Sequence, residues 1–268
     1  MKPSRIENNE YGLAHIHEQL METLDAFDQI CRENGICYSL HGGTLLGAER
    51  NHHLIPWDDD MDVSMRKSDY HKFLEVMQSK GDSFGYYIDD KTLWVPHFMM
   101  KETDDPIYID IFIWDYISEK PLGRKLKITL LHAIQGMMKD GEFLDIDRFG
   151  LKDRILVLGT YWFGKLFTQK FKLRMYTAVG TRWLQGKHKC IHRYNDSFRG
   201  LTYVHDSEYM NRYAEIELEG KNYMVNERYK EFLITEYGLN FMTPPAEKDR
   251  IPAHNIMRQR IQKTEGKQ

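Results

Sequence analysis

The sequence is poor in the features that mark several large protein classes. Its three cysteines, Cys31, Cys37 and Cys190, stand among 268 residues without a CxxC or a Cys/His ligand spacing. That excludes a disulfide scaffold, gives no zinc site and fits a reducing, cytoplasmic setting. No apolar run approaches the ~20 residues that a spanning helix needs. The opening MKPSRIENNE lacks the apolar core of a secretory signal, so any membrane contact is expected to be peripheral, on the inner face of the membrane. Basic residues are not in excess either: 37 Lys+Arg against 40 Asp+Glu leave a formal net charge of -3. A protein that lives on a phosphate backbone shows a clear basic surplus, so no nucleic-acid partner is expected. What is present, 41% hydrophobic, 29% charged and 13% aromatic residues, describes a globular chain with room for one generous domain or a domain with an insertion.

The small net charge is the difference between two unlike parts. Between Arg148 and Arg199 the chain carries 12 Lys+Arg and only Asp153 and Asp196, a local +10 that leaves -13 over the rest. Tyr161-Trp162-Phe163 and Phe167 lie in this stretch with Lys170, Lys172, Arg174, Arg182 and Lys187. A solvated helix with an apolar inner face has this composition, and so does an interfacial helix or an anionic-ligand groove. On the second reading the segment docks on an anionic membrane surface or on a phosphorylated glycolipid carried there.

Periodicity divides the chain into three regions. In 1–120, helical spacing from Leu13 to Ile30 with Gly35 as a stop predicts an amphipathic helix, and Ile36–His41 reads as a strand leading into Gly42-Gly43 and a short helix through Arg50. Alternation at Met61 and Val63 predicts a strand; Ser68–Ser79 reads as a helix capped by Ser68 or Asp69; Tyr86–Asp89, Trp94–Lys101 and Tyr108–Trp114 read as strands. The region 121–210 reads as basic, aromatic and helical, with helices over Lys125–Lys139 and about 151–186. In 211–268, a hairpin turning near Gly220, a helix ended by Gly238 and a break at Pro244-Pro245 precede a polar tail whose last few residues are expected to be disordered. The fold class is α/β (α+β): a mixed sheet with flanking helices and a helical insertion.

Asp60-Met61-Asp62-Val63 carries the first chemical signal, because residues two apart on a strand project the same way. Two converging carboxylates can share a hard divalent cation, Mg2+ or Mn2+, although an Asp-rich turn can also simply solvate a loop. Asp110 interrupts Tyr108-Ile109-Asp110-Ile111-Phe112-Ile113, where an uncompensated carboxylate would cost several kcal/mol unless a metal, a cation or protonation offsets it. Either it completes a metal site or it faces solvent or an arginine. Gly42-Gly43-Thr44 sits between strand and helix, where backbone N–H groups can approach a phosphate, or where the chain merely turns tightly. Glycine turn, paired carboxylates and a third acid together make a phosphoryl-transfer combination. Arg50 and Lys101 are the nearest cations for phosphate oxygens. Alternation places Asp59 on the opposite face and Asp58 in the preceding loop, in supporting roles. Trp57, Trp94, Trp114 and Tyr116 are either core aromatics or a cation-π seat for a quaternary ammonium.

His41-Gly42-Gly43-Thr44-Leu45-Leu46-Gly47-Ala48-Glu49-Arg50 with Ile55-Pro56-Trp57-Asp58-Asp59-Asp60-Met61-Asp62-Val63 resembles the signature of the LicD/fukutin family. Glu219-Gly220, Tyr237-Gly238, Met242 and Pro244-Pro245 with Lys248, Arg250 and His254 resemble that family's closing motif. The 120–210 middle matches only in general helical character, and Asn51-His52-His53-Leu54 departs from the more usual His, basic residue, Gly and Phe. The resemblance implies a nucleotidyltransferase-type fold and Mg2+-dependent transfer of a phospho-alcohol, often phosphocholine from CDP-choline, to a hydroxyl of a cell-surface glycan precursor of teichoic acid, lipopolysaccharide or capsule. On this resemblance Gly42, Gly43 and Thr44 bind substrate, Asp60, Asp62 and Asp110 are the catalytic and metal-holding residues, and Asp110 either completes the metal shell or accepts the acceptor's proton. The alternative is a nucleotidyltransferase that places NMP on a sugar or small molecule and releases pyrophosphate.

Overall fold

The computed structural model describes residues 6, 9–101, 107–139 and 151–252. These form two compact units. The first comprises residues up to 89, 96–113 and those from 208 onward; the second comprises 90–95 and 114–207. The last residues of the chain, expected to be disordered, and with them His254, lie outside the described residues.

The first unit begins with α1, Ala14–Glu33, which buries Ile16, Leu20, Leu24, Phe27 and Ile30 on one face. Gly35 at φ 62° ends it in the left-handed conformation that glycine tolerates best. Then come β1 (Ser39–Leu40), α2 (Gly42–Asn51), β2 (Met61–Arg66), α3 (Lys67–Phe84), β3 (Tyr86–Asp89), β4 (His97–Met100) and β5 (Tyr108–Ile117). The strands stand in the order β1-β2-β5-β4-β3, and β1/β2, β3/β4 and β4/β5 pair antiparallel. Phe27 is fully buried, with its ring 5.1 Å from Tyr38, 4.9 Å from Phe73 and 5.5 Å from Phe98. Asp28, also buried, is satisfied by the Tyr38 hydroxyl at 2.8 Å and Arg32 at 2.7 Å.

The second unit holds the last part of β5, then α4 (Pro121–Met138), α5 (Leu151–Gly164), α6 (Gln169–Arg182), β6 (Cys190–Arg193) and β7 (Val204–Asp206). β6 pairs antiparallel with both β5 and β7. Pro121 occupies the first turn of α4, where its missing N–H has no helical partner to lose. The interior holds bonded polar groups: Lys127 Nζ donates to Tyr116 O at 3.0 Å, and Gln135 Nε2 to the Tyr176 hydroxyl and Asp196 O at 2.8 and 2.7 Å. His192 is buried and its pKa pushed down to about 3, first by burial and then by Lys127, so the ring is neutral at physiological pH. Back in the first unit, β8 (Tyr213–Leu218) and β9 (Lys221–Asn226) form a hairpin before α7, Tyr229–Tyr237. Glu219 and Gly220 at its turn both have positive φ, 50° and 71°, the twist-matching geometry of a two-residue hairpin loop.

Several elements differ from the sequence expectation for identifiable reasons. Ile36–Tyr38 is not strand, because the three N–H groups are used elsewhere: on Cys31 O, on Asp69 Oδ1 and on Met224 Sδ. β4 starts at His97 rather than Trp94, since Pro96 has no N–H for a ladder. Arg66, not Ser68 or Asp69, is the residue before α3, and it makes no side-chain cap bond. The long helix expected over 151–186 breaks at 165–168 and restarts with Thr168, whose side chain accepts from Phe171 N at 3.3 Å. β6 and β7 lie in the segment read as wholly helical. Their short runs, CIHR and VHD, carry too few apolar residues for periodicity to show.

Removing the ring at the centre of the first core should cost about 3–5 kcal/mol. Phe27→Ala is therefore expected to lower the free energy of unfolding by that amount, read as a lower urea midpoint at unchanged slope; a midpoint within error of wild type would show that this aromatic cluster is not the core.

Candidate active site

The candidate chemistry lies entirely in the first unit. β1 ends at Leu40, and His41, extended and buried, opens α2. Its N–H donates to Asp62 O at 3.0 Å, and its ring packs 5.0 Å from Phe112 and 4.2 Å from Phe232. This fixes the start of α2 against β2. Gly42 takes φ 52°, and a Cβ built on it would overlap the Asp62 carboxylate; one on Gly43 would overlap the Asp58 carboxylate. Gly42 is thus favoured by space and by backbone conformation, and Gly43 by space. Gly43 N–H donates to Asp62 Oδ2 at 3.3 Å, and Asp62 N–H to Thr44 Oγ1 at 2.9 Å. The positive end of the α2 dipole therefore meets the Asp62 carboxylate.

One carboxylate oxygen each from Asp60, Asp62 and Asp110 lies within 4.8 Å of the other two, and all three residues keep partial solvent access. Asp62 is the second residue of β2 and Asp110 the third of β5, whereas Asp60 immediately precedes β2. The alternation argument, which sets both Asp60 and Asp62 on a strand, is corrected here: the strand begins at Met61, and Asp60 reaches the cluster from the loop. Burial first, then the charges of Asp60, Asp110 and Asp58, push the Asp62 carboxyl well above the usual carboxylate range; the Gly43 N–H opposes the shift. Three oxygen donors that repel one another beside a helix N-terminus are a donor set that could hold a hard divalent cation.

One member of this neighbourhood, His97, is not singled out by sequence reasoning. His97 Nε2 lies 2.9 Å from Asp110 Oδ1, and its ring stacks on Tyr108 with centroids 4.5 Å apart. In the β4/β5 register His97 is directly opposite Asp110, so pairing the two strands in the sequence would have found it. Asp58 lies in the loop before β2, where alternation places it, with its carboxylate against Gly43 and its backbone carbonyl 2.7 Å from His17 Nε2; the approach to Gly43 is the part that the sequence does not show. Burial, followed by the charge of Asp110, pushes the Tyr108 phenol up, so it stays protonated at neutral pH.

The remaining expected residues lie around this centre with other engagements. Arg50 Nε donates to Phe241 O at 2.6 Å and a second guanidinium nitrogen to Thr243 O at 3.2 Å. Burial lowers its pKa from the ordinary value. Lys101 follows β4, four residues and roughly 13 Å of strand from His97, and its N–H donates to Gly85 O at 2.9 Å. Glu219 accepts from Leu54 N at 2.9 Å and sits 3.0 Å from His53 Nδ1, which secures the loop after α2. Arg250 places its guanidinium 5.2 Å from the Trp57 ring centre. Residues of the closing motif therefore contact the opening signature. Trp94, Trp114 and Tyr116 belong to the second unit, where they pack near Tyr176, Arg193 and His188 respectively.

An acid whose pKa is raised by folding contributes stability that is complete below its unfolded pKa, about 4, and is lost as pH rises through the folded value. With a chelator present, Asp62→Asn should therefore be at least as stable as wild type at neutral pH and lose that advantage below about pH 4, as read by urea midpoints across pH. A variant less stable than wild type at neutral pH contradicts the strained cluster. Without its partner, Asp110 is held less well: His97→Ala should weaken Mn2+ binding by about 10- to 100-fold in calorimetry, and an unchanged affinity would leave His97 without a part in the site.

Residues 35–148 match the model of the LicD/FKTN/FKRP nucleotidyltransferase domain. Over 259 aligned residues, 87% of this chain and 92% of the relative, the chain is 28% identical to the lipopolysaccharide cholinephosphotransferase LicD of Haemophilus influenzae. Shorter likenesses join it to uncharacterized proteins of Rickettsia typhi, 33% identical over 25% of this chain and 21% of the relative, and Rickettsia prowazekii, 31% identical over 34% and 37%. The family-model match takes in the glycine turn, the loop carboxylates and Asp110, the parts that the geometry brings together, and over these parts the chain is similar to the LicD/FKTN/FKRP nucleotidyltransferase domain.

Proposed function

We propose that this protein is a phosphotransferase that moves phosphocholine to a hydroxyl of a lipopolysaccharide-type glycan, with CDP-choline as donor and Mg2+, or Mn2+ in its place, as the metal. The observation that carries the reading is the Asp60, Asp62 and Asp110 cluster against the α2 glycine turn, in a chain that parallels a lipopolysaccharide cholinephosphotransferase over nearly its whole length. A divalent ion held by the three carboxylates would neutralise donor phosphate charge and that of the departing CMP.

The chain's own groups supply the rest of the reading. The acceptor oxygen attacks the choline-bearing phosphorus, the bond from that phosphorus to the CMP oxygen breaks, and the hydroxyl proton passes to a base, for which Asp110 with His97 beside it is the candidate. Gly42, Gly43 and Thr44 keep α2 close enough to seat Asp62 and to leave the donor room. Arg50, engaged with Phe241 and Thr243 carbonyls, orders the closing segment beside the signature. The family's nucleotidyltransferase domain favours one second reading on the same carboxylates: transfer of NMP from an NTP with release of pyrophosphate.

Incubation with CDP-choline, Mg2+ and a lipopolysaccharide acceptor should release CMP and add one phosphocholine to the glycan by mass spectrometry. Asp60→Asn and Asp62→Asn, made separately, should each reduce turnover by at least about 10²-fold with the fold retained by circular dichroism. Pyrophosphate release from an NTP with no CMP from CDP-choline selects the second reading, and full turnover in either variant removes the carboxylate assignment.

A further inference from the structure

The basic, aromatic segment of the second unit leaves an unusual surface. At the turn between α5 and α6, Trp162 is 67% exposed, Phe163 55%, Leu166 75% and Phe171 48%. Isolated exposed apolar residues are ordinary, but a contiguous group of large ones marks an interaction surface. The turn is not loosely attached. Lys165, Leu166 and Phe167 N–H groups donate three residues back at 3.2 Å each. Inside the turn, a Cβ on Gly164 would overlap the Met137 backbone, and Lys172 Nζ donates to Met137 O at 3.0 Å. Phe167 links Phe163 and Phe171 in a ring run with 5.3 Å centroid spacings. Anchored on its inner side, the turn presents its large side chains outward as a fixed feature.

Charge decides what covers them. From residue 154 to residue 195 the chain has no Asp or Glu. Lys165 borders the apolar group, and Lys170, Arg174 and Arg182 lie on the exposed face of α6, where with Lys91 they line an open cavity of about 790 Å³ whose only acidic lining residue is Asp90. Lys170, Arg174 and Arg182 have no hydrogen-bond or ion-pair partner among the described residues. Tryptophan and leucine at the tip with unpaired cations behind them match the layering of an anionic bilayer, apolar below the headgroups and negative at them. A protein partner would need an apolar and acidic face together, whereas a bilayer of anionic lipid offers both layers everywhere.

We propose that the α5–α6 turn is a peripheral docking surface for anionic lipid bilayer: Trp162, Phe163 and Leu166 enter the interface while Lys165, Lys170 and Arg174 meet the headgroup phosphates. The inference stands apart from the phosphocholine reading, because its test contains neither donor nor turnover. The full chain is sedimented with phosphatidylglycerol vesicles and with phosphatidylcholine vesicles at low and high salt. Binding to phosphatidylglycerol that weakens with salt, and little binding to phosphatidylcholine, is the expected result. Lys170→Glu with Arg174→Glu should weaken it by at least about tenfold, and Trp162→Ser with Leu166→Ser should weaken the salt-resistant part, both with thermal melts close to wild type. Failure to bind phosphatidylglycerol at low salt, binding unaffected by both double variants, or a concentration-dependent dimer lost in Trp162→Ser with Leu166→Ser would overturn the proposal, the last by giving the surface to a second copy of the chain.

Discussion

The contact between two glycines and two carboxylates is the constraint on which the candidate site depends. Gly42 leaves room for Asp62 and Gly43 leaves room for Asp58, so the start of α2 approaches β2 and its preceding loop more closely than a Cβ would allow with those carboxylates in place. From that approach follow the Gly43 bond to Asp62, the Thr44 bond back to its backbone and the alignment of the helix dipole with the carboxylate. His41 holds the other side through its N–H and through its packing on Phe112 and Phe232. The cluster is thus assembled by backbone proximity and stored as electrostatic strain, which a bound cation would relieve.

Around this centre, the elements that resemble the family motifs serve each other structurally. Arg50 ties the segment at Phe241 and Thr243, Glu219 ties the loop after α2, and Arg250 covers Trp57. The departure at Asn51-His52-His53-Leu54 is accommodated here: His52 takes the left-handed conformation at φ 61° that a glycine would adopt without strain, and its neighbour His53 meets Glu219. A motif read as a list of substrate contacts therefore includes residues whose partners are other motif residues.

Much of this was legible in the sequence because local patterns coincided with local structure. The apolar spacing of α1, the alternation at Met61 and Val63 in β2 and the Glu219-Gly220 turn each depend on residues close in the chain. The carboxylates were legible by type, since a buried Asp in an apolar strand and a run of three Asp demand compensation. Long-range facts were not: His97 opposite Asp110 requires a strand register, Asp58 against Gly43 requires the approach of a loop to a helix, and β6 owes its existence to partners in β5 and β7. The near-neutral total charge likewise hid an acidic site and a strongly basic surface, which the chain keeps in different compact units.

The central claim is that Asp60, Asp62 and Asp110 are gathered to hold a divalent cation. Anomalous diffraction at the manganese edge from crystals grown with Mn2+ tests it most directly. A manganese peak within bonding distance of oxygens from all three residues is predicted. Well-ordered carboxylates with no peak between them, or a peak held by other residues, would contradict the account.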